Sequence, residues 1–216
     1  MKKILVIGSG FAGFSAVMRL RSIRNEAEVV VVDKNEYFSF LPLLPDVVGR
    51  MIDPDFLVWP LERLRGRGVN FINEEVTGLD LNKKEARTKG RALSYDYLLL
   101  ACGSLTNFYG NEQIRKYAFK LDDYQDARCI VLALKDKAFG VYLIAGGGYT
   151  GIEIATGLRA ELERRKVDKK IFIIERAPEI LGPLPPWMRS YVLDNLRRLN
   201  IEILADNFIQ DVQQGM

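Results

Sequence analysis

The sequence contains no histidine and only two cysteines among its 216 residues. Without histidine the chain has no imidazole general base, no Ser-His or Cys-His nucleophile pair and few ways of building a zinc site. Cys102 and Cys129 are too few for a disulfide framework, and they do not form a C-x-x-C pair. We therefore expect no metal site and no chemistry that depends on a histidine base.

Long apolar runs and a strong charge of one sign are also missing. No stretch approaches the ~20 apolar residues that cross a bilayer, and the first thirty residues have the pattern of a strand, a turn and a helix, unlike a signal peptide. The net charge of +3 is mild and does not indicate nucleic acid as a partner. With 48% hydrophobic residues, the chain is expected to form one large or two small globular domains in the cytoplasm.

The first thirty-three residues carry a dinucleotide-binding pattern. Gly8, Gly10 and Gly13 form G-x-G-x-x-G directly after the apolar run 4–7, and an amphipathic segment follows them. In such a turn the glycines allow a tight bend, a close approach of a pyrophosphate and close packing of helix on strand. The second apolar run, 29–32, ends at Asp33, where a carboxylate can accept from a ribose hydroxyl. The strand, helix and terminal acid together predict a βαβ unit.

The same pattern returns 138 residues later. Residues 141–145 predict a strand, Gly146, Gly148 and Gly151 repeat G-x-G-x-x-G, and a helix is expected over 152–163. The next strand, 170–174, ends at Glu175. Two βαβ patterns indicate an internal repeat and an α/β fold with two Rossmann-like, three-layer dinucleotide-binding domains.

Other segments are assigned from local pattern. Residues 34–49 are apolar but contain Pro42 and Pro45, so we expect neither a regular helix nor a central strand there; the segment either caps the core or lines a pocket for a flat ligand. Residues 53–68 show helical spacing, and 69–95 predict a small antiparallel meander. Residues 95–104 predict a buried strand that returns to the first sheet, and 123–136 a helix capped by Asp122 or Asp123.

The acid at position 175 bears on which nucleotide is bound. A carboxylate there accepts from the ribose 2′-hydroxyl of NAD and repels a 2′-phosphate, whereas the neighbouring Arg176 is the type of residue that neutralises that phosphate in NADP sites. We favour NAD because of the acid. The nearby basic cluster, Arg164, Arg165, Lys166, Lys169 and Lys170, is interpreted as a solvated helix end.

With both glycine motifs in place, the sequence resembles the two-dinucleotide flavoprotein family, and within it the type II NADH dehydrogenases. The similarity covers essentially the whole chain and includes the proline-leucine loop 41–45, the run 95–98, the segment 103–110 and the Gly-Ile-Glu turn 151–153. It implies that FAD binds first along the chain and NAD second. The implied domains are an FAD-binding domain over 1–110, a connecting helical segment over 111–140 and an NAD(H)-binding domain over 141–216.

The resemblance also assigns site residues. It places Gly8, Gly10, Phe11, Ala12 and Gly13 on the FAD pyrophosphate and Asp33 on the adenosine ribose. Lys34 and the backbone of Val76 are expected near the adenosine half, Pro42 and Leu43 near the flavin, and Ala101, Cys102 and Gly103 along the cofactor. Gly146, Gly148, Tyr149, Thr150, Gly151 and Glu175 are expected to hold NAD. Glu153 either faces the junction of flavin and nicotinamide as a catalytic residue or serves only as a partner of the helix dipole.

The implied reaction is hydride transfer from NADH to FAD, followed by reoxidation of the flavin by a quinone. Such an enzyme needs no catalytic base of its own, which agrees with the absence of histidine. Two residues depart from the family pattern: Cys102 replaces a threonine and is interpreted as a small core residue, and Tyr149 replaces a common proline.

The family continues beyond the length of this chain, so the resemblance implies a fragment. In members of the family, the part that this chain lacks forms the quinone site and a peripheral membrane anchor at the cytoplasmic face. A homodimer or a second chain could complete the fold. Two alternatives remain open: an enzyme like sulfide:quinone oxidoreductase, although the cysteines are not where its motifs place them, and a nucleotide-binding fragment or subunit without turnover. A dithiol reductase is excluded because residues 34–50 contain no cysteine pair.

Overall fold

The computed structural model describes residues 1–23, 25–50, 52–135 and 140–213. By packing, the chain divides into two compact units: the first comprises Met1–Phe40 and Val58–Leu105, and the second comprises Leu41–Leu57 and Thr106–Met216. Packing is a different criterion from cofactor binding, so the predicted cofactor domains 1–110, 111–140 and 141–216 stay a prediction. Residues 41–57 nevertheless pack with the second unit, although the sequence places them in the FAD-binding domain.

The first unit is built around a parallel sheet. Its strands and its helix are β1 (Lys2–Ile7), α1 (Phe11–Leu20), β2 (Ala27–Asp33), β3 (Tyr37–Ser39), β4 (Val58–Pro60), β5 (Asn70–Asn73), β6 (Val76–Asp80), β7 (Glu85–Thr88), β8 (Ala92–Ser94) and β9 (Tyr97–Leu100). The sheet has the order β5-β2-β1-β9, and each of its three pairs is parallel. The predicted βαβ unit and the return of the last strand to the first sheet are confirmed. The prediction that this last strand is buried is wrong, because β9 lies at the end of the sheet order and Tyr97, Leu99 and Leu100 are exposed.

Both faces of this sheet are covered, which explains why its central strands are continuously apolar. Val6, Val29 and Val31 pack on one side with Val17 of α1 and with residues of a 3₁₀ helix over Leu61–Arg67. Leu5, Ile7, Val30 and Val32 alternate with them and pack against Ala86 and Leu93 of the meander β6–β7–β8 and against Tyr95, which follows β8. Helix, sheet and meander therefore form three layers, as predicted.

Residues 53–73 differ from the sequence expectation. The helical spacing over 53–68 corresponds to two 3₁₀ helices, Pro54–Leu57 and Leu61–Arg67, separated by β4, which pairs antiparallel with β3. The start of the predicted meander is instead β5, which joins the parallel sheet beside β2. Tertiary pairing overrides the local spacing here, because short apolar runs fit a strand or a helix equally well.

The second unit repeats the β-α-β arrangement. Its elements are α2 (Leu44–Arg50), α3 (Glu112–Tyr117), α4 (Tyr124–Leu134), β10 (Val141–Ala145), α5 (Tyr149–Arg164), β11 (Lys170–Ile174), α6 (Pro186–Arg198) and β12 (Ile201–Leu204). The three strands form a parallel sheet in the order β10-β11-β12. Residues of α5 and α6 pack into one core cluster with Ile171, Ile173 and Ile201, while Val141 and Leu143 of β10 are exposed.

The prediction that the proline-containing segment forms no regular helix is wrong, and the cap of a second helix is resolved. A regular helix, α2, does form within the proline-containing segment, because Pro45 is its second residue and the first turn of a helix does not need that N–H. Helix α4 is capped by Asp123, whose side chain accepts from the Gln125 and Asp126 N–H groups in a capping box. Its predicted end at Asp136 lies outside the described residues.

Candidate functional site

The first glycine turn joins β1 to α1 with almost no spare room. Gly8 has φ +93°, and an added Cβ would lie 2.3 Å from the Ala101 carbonyl oxygen. A Cβ at Gly13 would lie 1.9 Å from the Gly8 carbonyl oxygen, so α1 sits directly on the turn. At Gly10, in contrast, an added Cβ meets no described atom within 4 Å. The two outer glycines are required by packing, and the middle one leaves open space where a phosphate can approach.

The start of α1 suits an anion. Gly10 is the N-cap residue, no side chain in the described part of the chain caps the helix, and its first turn contains no acidic residue. The N–H groups of Phe11, Ala12 and Gly13 are therefore available to a ligand, and the helix dipole adds a partial positive charge. These features fit a diphosphate.

Asp33, at the end of β2, is held by the glycine turn itself. Its Oδ2 accepts from the Ser9 N–H and from the Ser9 hydroxyl, both at 2.6 Å, and its Oδ1 accepts from the Asn35 N–H at 2.8 Å. The Asn73 side chain donates to the carbonyl oxygens of Asp33 and Lys34, at 3.1 and 3.0 Å. The carboxylate is thus fixed at the carboxyl end of the parallel strands, and its oxygens keep lone pairs that can accept from a ribose hydroxyl.

Sequence reasoning missed Ser9 and Asn73 as supporting residues. The position between the first two glycines accepts many residue types, so no motif identifies Ser9, and Asn73 belongs to the strand that was assigned to the meander. Two aromatic residues were missed as well: the rings of Phe38 and Phe40 each lie 5.2 Å from the ring of Phe11. They pack the first residue of α1 against the segment that follows Asp33.

The second glycine turn has the same construction. Gly146 has φ +108°, an added Cβ at Gly151 would lie 2.1 Å from the Gly146 carbonyl oxygen, and Gly148 leaves open space around it in the described structure. Gly148 is the N-cap of α5, with no side-chain cap among the described residues and no acid in the first turn. Tyr149 and Thr150 are exposed beside it. The helix starts three residues earlier than predicted, at Tyr149.

Glu175 is anchored by backbone N–H groups. Its Oε1 accepts from Ala177 N at 2.8 Å and its Oε2 from Gly147 N at 2.7 Å. The Ala177 and Gly147 hydrogen bonds lower the pKa of Glu175 below its ordinary value, because they stabilise the charged form. The residue after the first glycine therefore holds the acid in both repeats, through Ser9 in one and Gly147 in the other.

The remaining predicted FAD residues fall in both units. In the first, Lys34 follows β2 and is exposed, Val76 begins β6, and Ala101–Gly103 follow β9. In the second, Pro42 and Leu43 lie in an exposed 3₁₀ turn, Leu41–Leu43, directly before α2. Of this group, the structure brings Ala101 against Gly8.

The interpretation of Cys102 as a small core residue is wrong. Its side chain is exposed, and its Sγ lies 3.8 Å from the Ile7 carbonyl oxygen, to which the thiol donates. The chain leaves the sheet one residue after β9 ends, so position 102 no longer alternates into the core. Cys129 is exposed as well.

Glu153 does not lie in the first turn of its helix. It is the fifth residue of α5 and is exposed. Because α5 begins at Tyr149, Glu153 is too far along the helix for a simple role as a partner of the dipole at its N-terminus. The other interpretation, a residue that faces the reacting rings, stays a prediction.

No group of three or more His, Cys, Asp or Glu side chains in the described ranges is arranged to hold a metal ion. Within the same ranges, no helix has both the length and the apolar character that a membrane span requires.

Comparisons with known proteins agree with this geometry. A family model described as pyridine nucleotide-disulphide oxidoreductase matches residues 2–215. The type II NADH:quinone oxidoreductase of Staphylococcus haemolyticus is 28% identical over 224 residues, which cover 93% of this chain and 56% of the relative. That of Staphylococcus aureus strain NCTC 8325 is 29% identical with the same coverage. The chain thus spans little more than half the length of these relatives.

Solved structures show the same fold. NDH2 from Plasmodium falciparum in complex with NADH superposes with a TM-score of 0.87 at 23% identity, covering 99% of this chain and 49% of that one. The sulfide:quinone oxidoreductase of Aquifex aeolicus gives a TM-score of 0.87 at 22% identity, covering 99% and 53%. At such identities the match establishes the α/β fold with its two Rossmann-like parts.

Proposed function

Because the chain belongs to the pyridine nucleotide-disulphide oxidoreductase family, we propose that it is the dinucleotide-binding part of a flavoprotein that takes a hydride from NADH. The observation that carries the proposal is the repeated construction of the two glycine turns. In each turn the third glycine lies directly on the carbonyl of the first, the middle glycine leaves open space, and the acid after the next strand is held by the turn. One chain with two such turns is built for two dinucleotides.

The first turn and its acid fit the adenosine diphosphate half of FAD. The free N–H groups at the start of α1 would hold the pyrophosphate, and Asp33, kept in place by Ser9, would accept from the ribose. Lys34, Val76, Ala101, Cys102 and Gly103 complete the proposed FAD residues, with Pro42 and Leu43 towards the flavin. When bound, FAD supplies the hydride-accepting chemistry, and the chain contributes binding and orientation.

The second turn fits NAD(H). The start of α5 would hold its pyrophosphate at Gly146, Gly148, Tyr149, Thr150 and Gly151. Glu175 stays ionised because backbone N–H groups stabilise its charge, so it would accept from the 2′-hydroxyl of NADH and repel the 2′-phosphate of NADPH. Glu153, on the exposed side of the second turn of α5, is proposed to face the reacting rings.

The electron acceptor is proposed to be a quinone, since the Staphylococcus relatives are named NADH:quinone oxidoreductases. This part of the proposal concerns the complete protein, which we place in the cytoplasm, at the cytoplasmic face of a membrane. A second copy or a second chain is proposed to complete the assembly.

The test is spectroscopic. Purified protein, reconstituted with FAD and made anaerobic, is expected to show flavin absorbance that bleaches on addition of NADH, and added quinone is expected to restore it. Protein that binds both nucleotides but never bleaches would contradict the oxidoreductase and support a binding fragment. Bleaching by sulfide instead of NADH would support the sulfide:quinone alternative.

A further inference from the structure

Helices α2 and α5 cross through a pair of glycines. A Cβ added at Gly49 would lie 2.4 Å from the Gly157 Cα, and one added at Gly157 would lie 2.7 Å from the Gly49 Cα. Neither glycine has a positive φ, so the backbone conformation alone would tolerate another residue. The close approach of the two backbones is what requires glycine at both positions, since real Cβ atoms essentially never come within 3.0 Å of a non-bonded heavy atom.

Helix α2 is held firmly on its other sides. Leu44 and Val47 are 3% and 0% exposed, and they pack with Leu57 and with Ala127 of α4. The turn before the helix is open to solvent, with Leu41 41% and Leu43 37% exposed. Seven residues of helix therefore fix the position of an exposed, apolar turn, and the glycine pair fixes the helix against α5.

Helix α5 carries two proposed functional features near the same crossing. Its N-terminus is the second glycine turn, and Glu153 lies four residues before Gly157. Residues four apart lie near one another along a helix surface, so Glu153 is one turn before the crossing, and its side chain is exposed. The crossing joins the element that carries Pro42 and Leu43 to the element that carries Glu153 and the NAD turn.

We propose that Gly49 and Gly157 are positioning residues for hydride transfer. Their contact sets the spacing between the 41–43 turn and the first turns of α5, and this spacing governs how the nicotinamide meets the flavin. The inference rests on the proposed function. It requires neither glycine to touch a cofactor, and it assigns a role in turnover to residues that the dinucleotide motifs do not include.

The experiment uses Gly49→Ala and Gly157→Ala, with Gly66→Ala as the matched control, because a Cβ at Gly66 meets no described atom within 4 Å. A methyl group at the crossing forces the helices apart. The anaerobic rate constant of flavin reduction at saturating NADH is expected to fall about ten-fold or more, as misplacements of about 1 Å commonly do. The FAD content and the NADH dissociation constant are expected to stay close to wild type, and Gly66→Ala is expected to behave as wild type.

Hydrogen exchange provides a readout that does not depend on turnover. Amides of 44–50 and 152–164 are expected to exchange faster in both crossing variants, while those of 11–20 stay unchanged. A wild-type rate constant of flavin reduction in Gly157→Ala would overturn the proposal. A parallel loss of FAD content, NADH affinity and reduction rate would overturn it as well, because it would indicate general unfolding. If NADH does not reduce the wild-type flavin, although amide exchange in the variants is faster as expected, the proposed function is wrong and the inference fails with it. If amide exchange is unchanged in both variants, the proposed role of the Gly49–Gly157 contact is wrong, whatever the function.

Discussion

At the scale of single residues, the two acids at the strand ends have a similar environment but different support. Asp33 accepts from both the N–H and the hydroxyl of Ser9, whereas Glu175 accepts from the N–H of Gly147 alone at the equivalent position. A side chain at position 147 is excluded, because its Cβ would lie 2.4 Å from Ile180 Cγ2. The first site can therefore use a serine where the second must use glycine.

Replacement of Ser9 by alanine is expected to weaken FAD binding selectively. It removes one hydrogen bond to a charged group, which corresponds to about a ten-fold rise in the FAD dissociation constant. The NADH dissociation constant is expected to stay unchanged. Titration of the apoprotein with FAD measures the effect, and Ser22→Ala is the control, since the Ser22 hydroxyl is exposed and donates to the Arg19 carbonyl. An equal loss of FAD affinity in Ser9→Ala and in Ser22→Ala would contradict the role of Ser9.

Replacement of Glu175 by glutamine is expected to reduce the preference for NADH over NADPH. The carboxylate that is proposed to repel a 2′-phosphate is lost, while the side chain keeps its size, so the ratio of the NADPH to the NADH dissociation constant should fall about ten-fold. Fluorescence titration with both nucleotides measures the ratio. Glu202→Gln, an exposed position on β12, should leave it as in wild type; an unchanged ratio in Glu175→Gln would show that another residue sets the specificity.

At the scale of elements, α5 is stabilised at its C-terminal end by a small charge cluster. Glu161 is 4% exposed; it accepts from Arg164 at 2.7 and 2.8 Å and from Arg165 at 2.5 Å. The predicted basic cluster lies at a solvated helix end, since Arg164, Lys166 and Lys170 are exposed, and two of its five residues, Arg164 and Arg165, also pair with this buried carboxylate. Hydrogen bonds from Arg164, and then those from Arg165, lower the pKa of Glu161 from its ordinary value of 4.5.

This cluster predicts a pH-dependent stability. Because folding lowers the pKa of Glu161, the contribution of its carboxylate to the free energy of unfolding is fully present above pH 4.5. This contribution is lost as the pH falls through the pKa of Glu161 in the folded state. Glu161→Gln is expected to reduce the free energy of unfolding by about 1–2 kcal/mol near neutral pH. The difference from wild type should shrink in acid. Urea unfolding at several pH values measures it, with the exposed Glu163→Gln as control; a difference independent of pH would contradict the assignment.

At the scale of the whole molecule, two packed units each contain one glycine turn, one parallel sheet and one anchored acid. This repetition predicts that the two proposed cofactors, FAD and NAD(H), can be lost separately. Each unit has its own core, built around Val6, Val29 and Val31 in one and around Ile171 and Ile173 in the other. A change confined to one glycine turn should therefore leave the other site in working order.

Gly13→Ala and Gly151→Ala test this separation. The new methyl group collides with the carbonyl of Gly8 or of Gly146, which lifts α1 or α5 from its turn. Gly13→Ala is expected to lower FAD content with unchanged NADH affinity, and Gly151→Ala is expected to do the reverse, each by about ten-fold or more. Flavin absorbance per chain and NADH titration measure the two effects. Loss of both cofactors from each variant would contradict two independent dinucleotide sites.

The sequence by itself determined the parts that depend on local chemistry: the two β-α-β units, their glycines, and the acids at positions 33 and 175. In these cases the signal lies within a few residues and has one physical solution. Only the tertiary structure decided that residues 70–73 join the parallel sheet, that Pro45 opens a helix, that Cys102 is exposed, and that Ser9 and Asn73 support the first acid. Those outcomes depend on which distant backbone completes a contact, as at Gly49 and Gly157, and no local pattern contains that information.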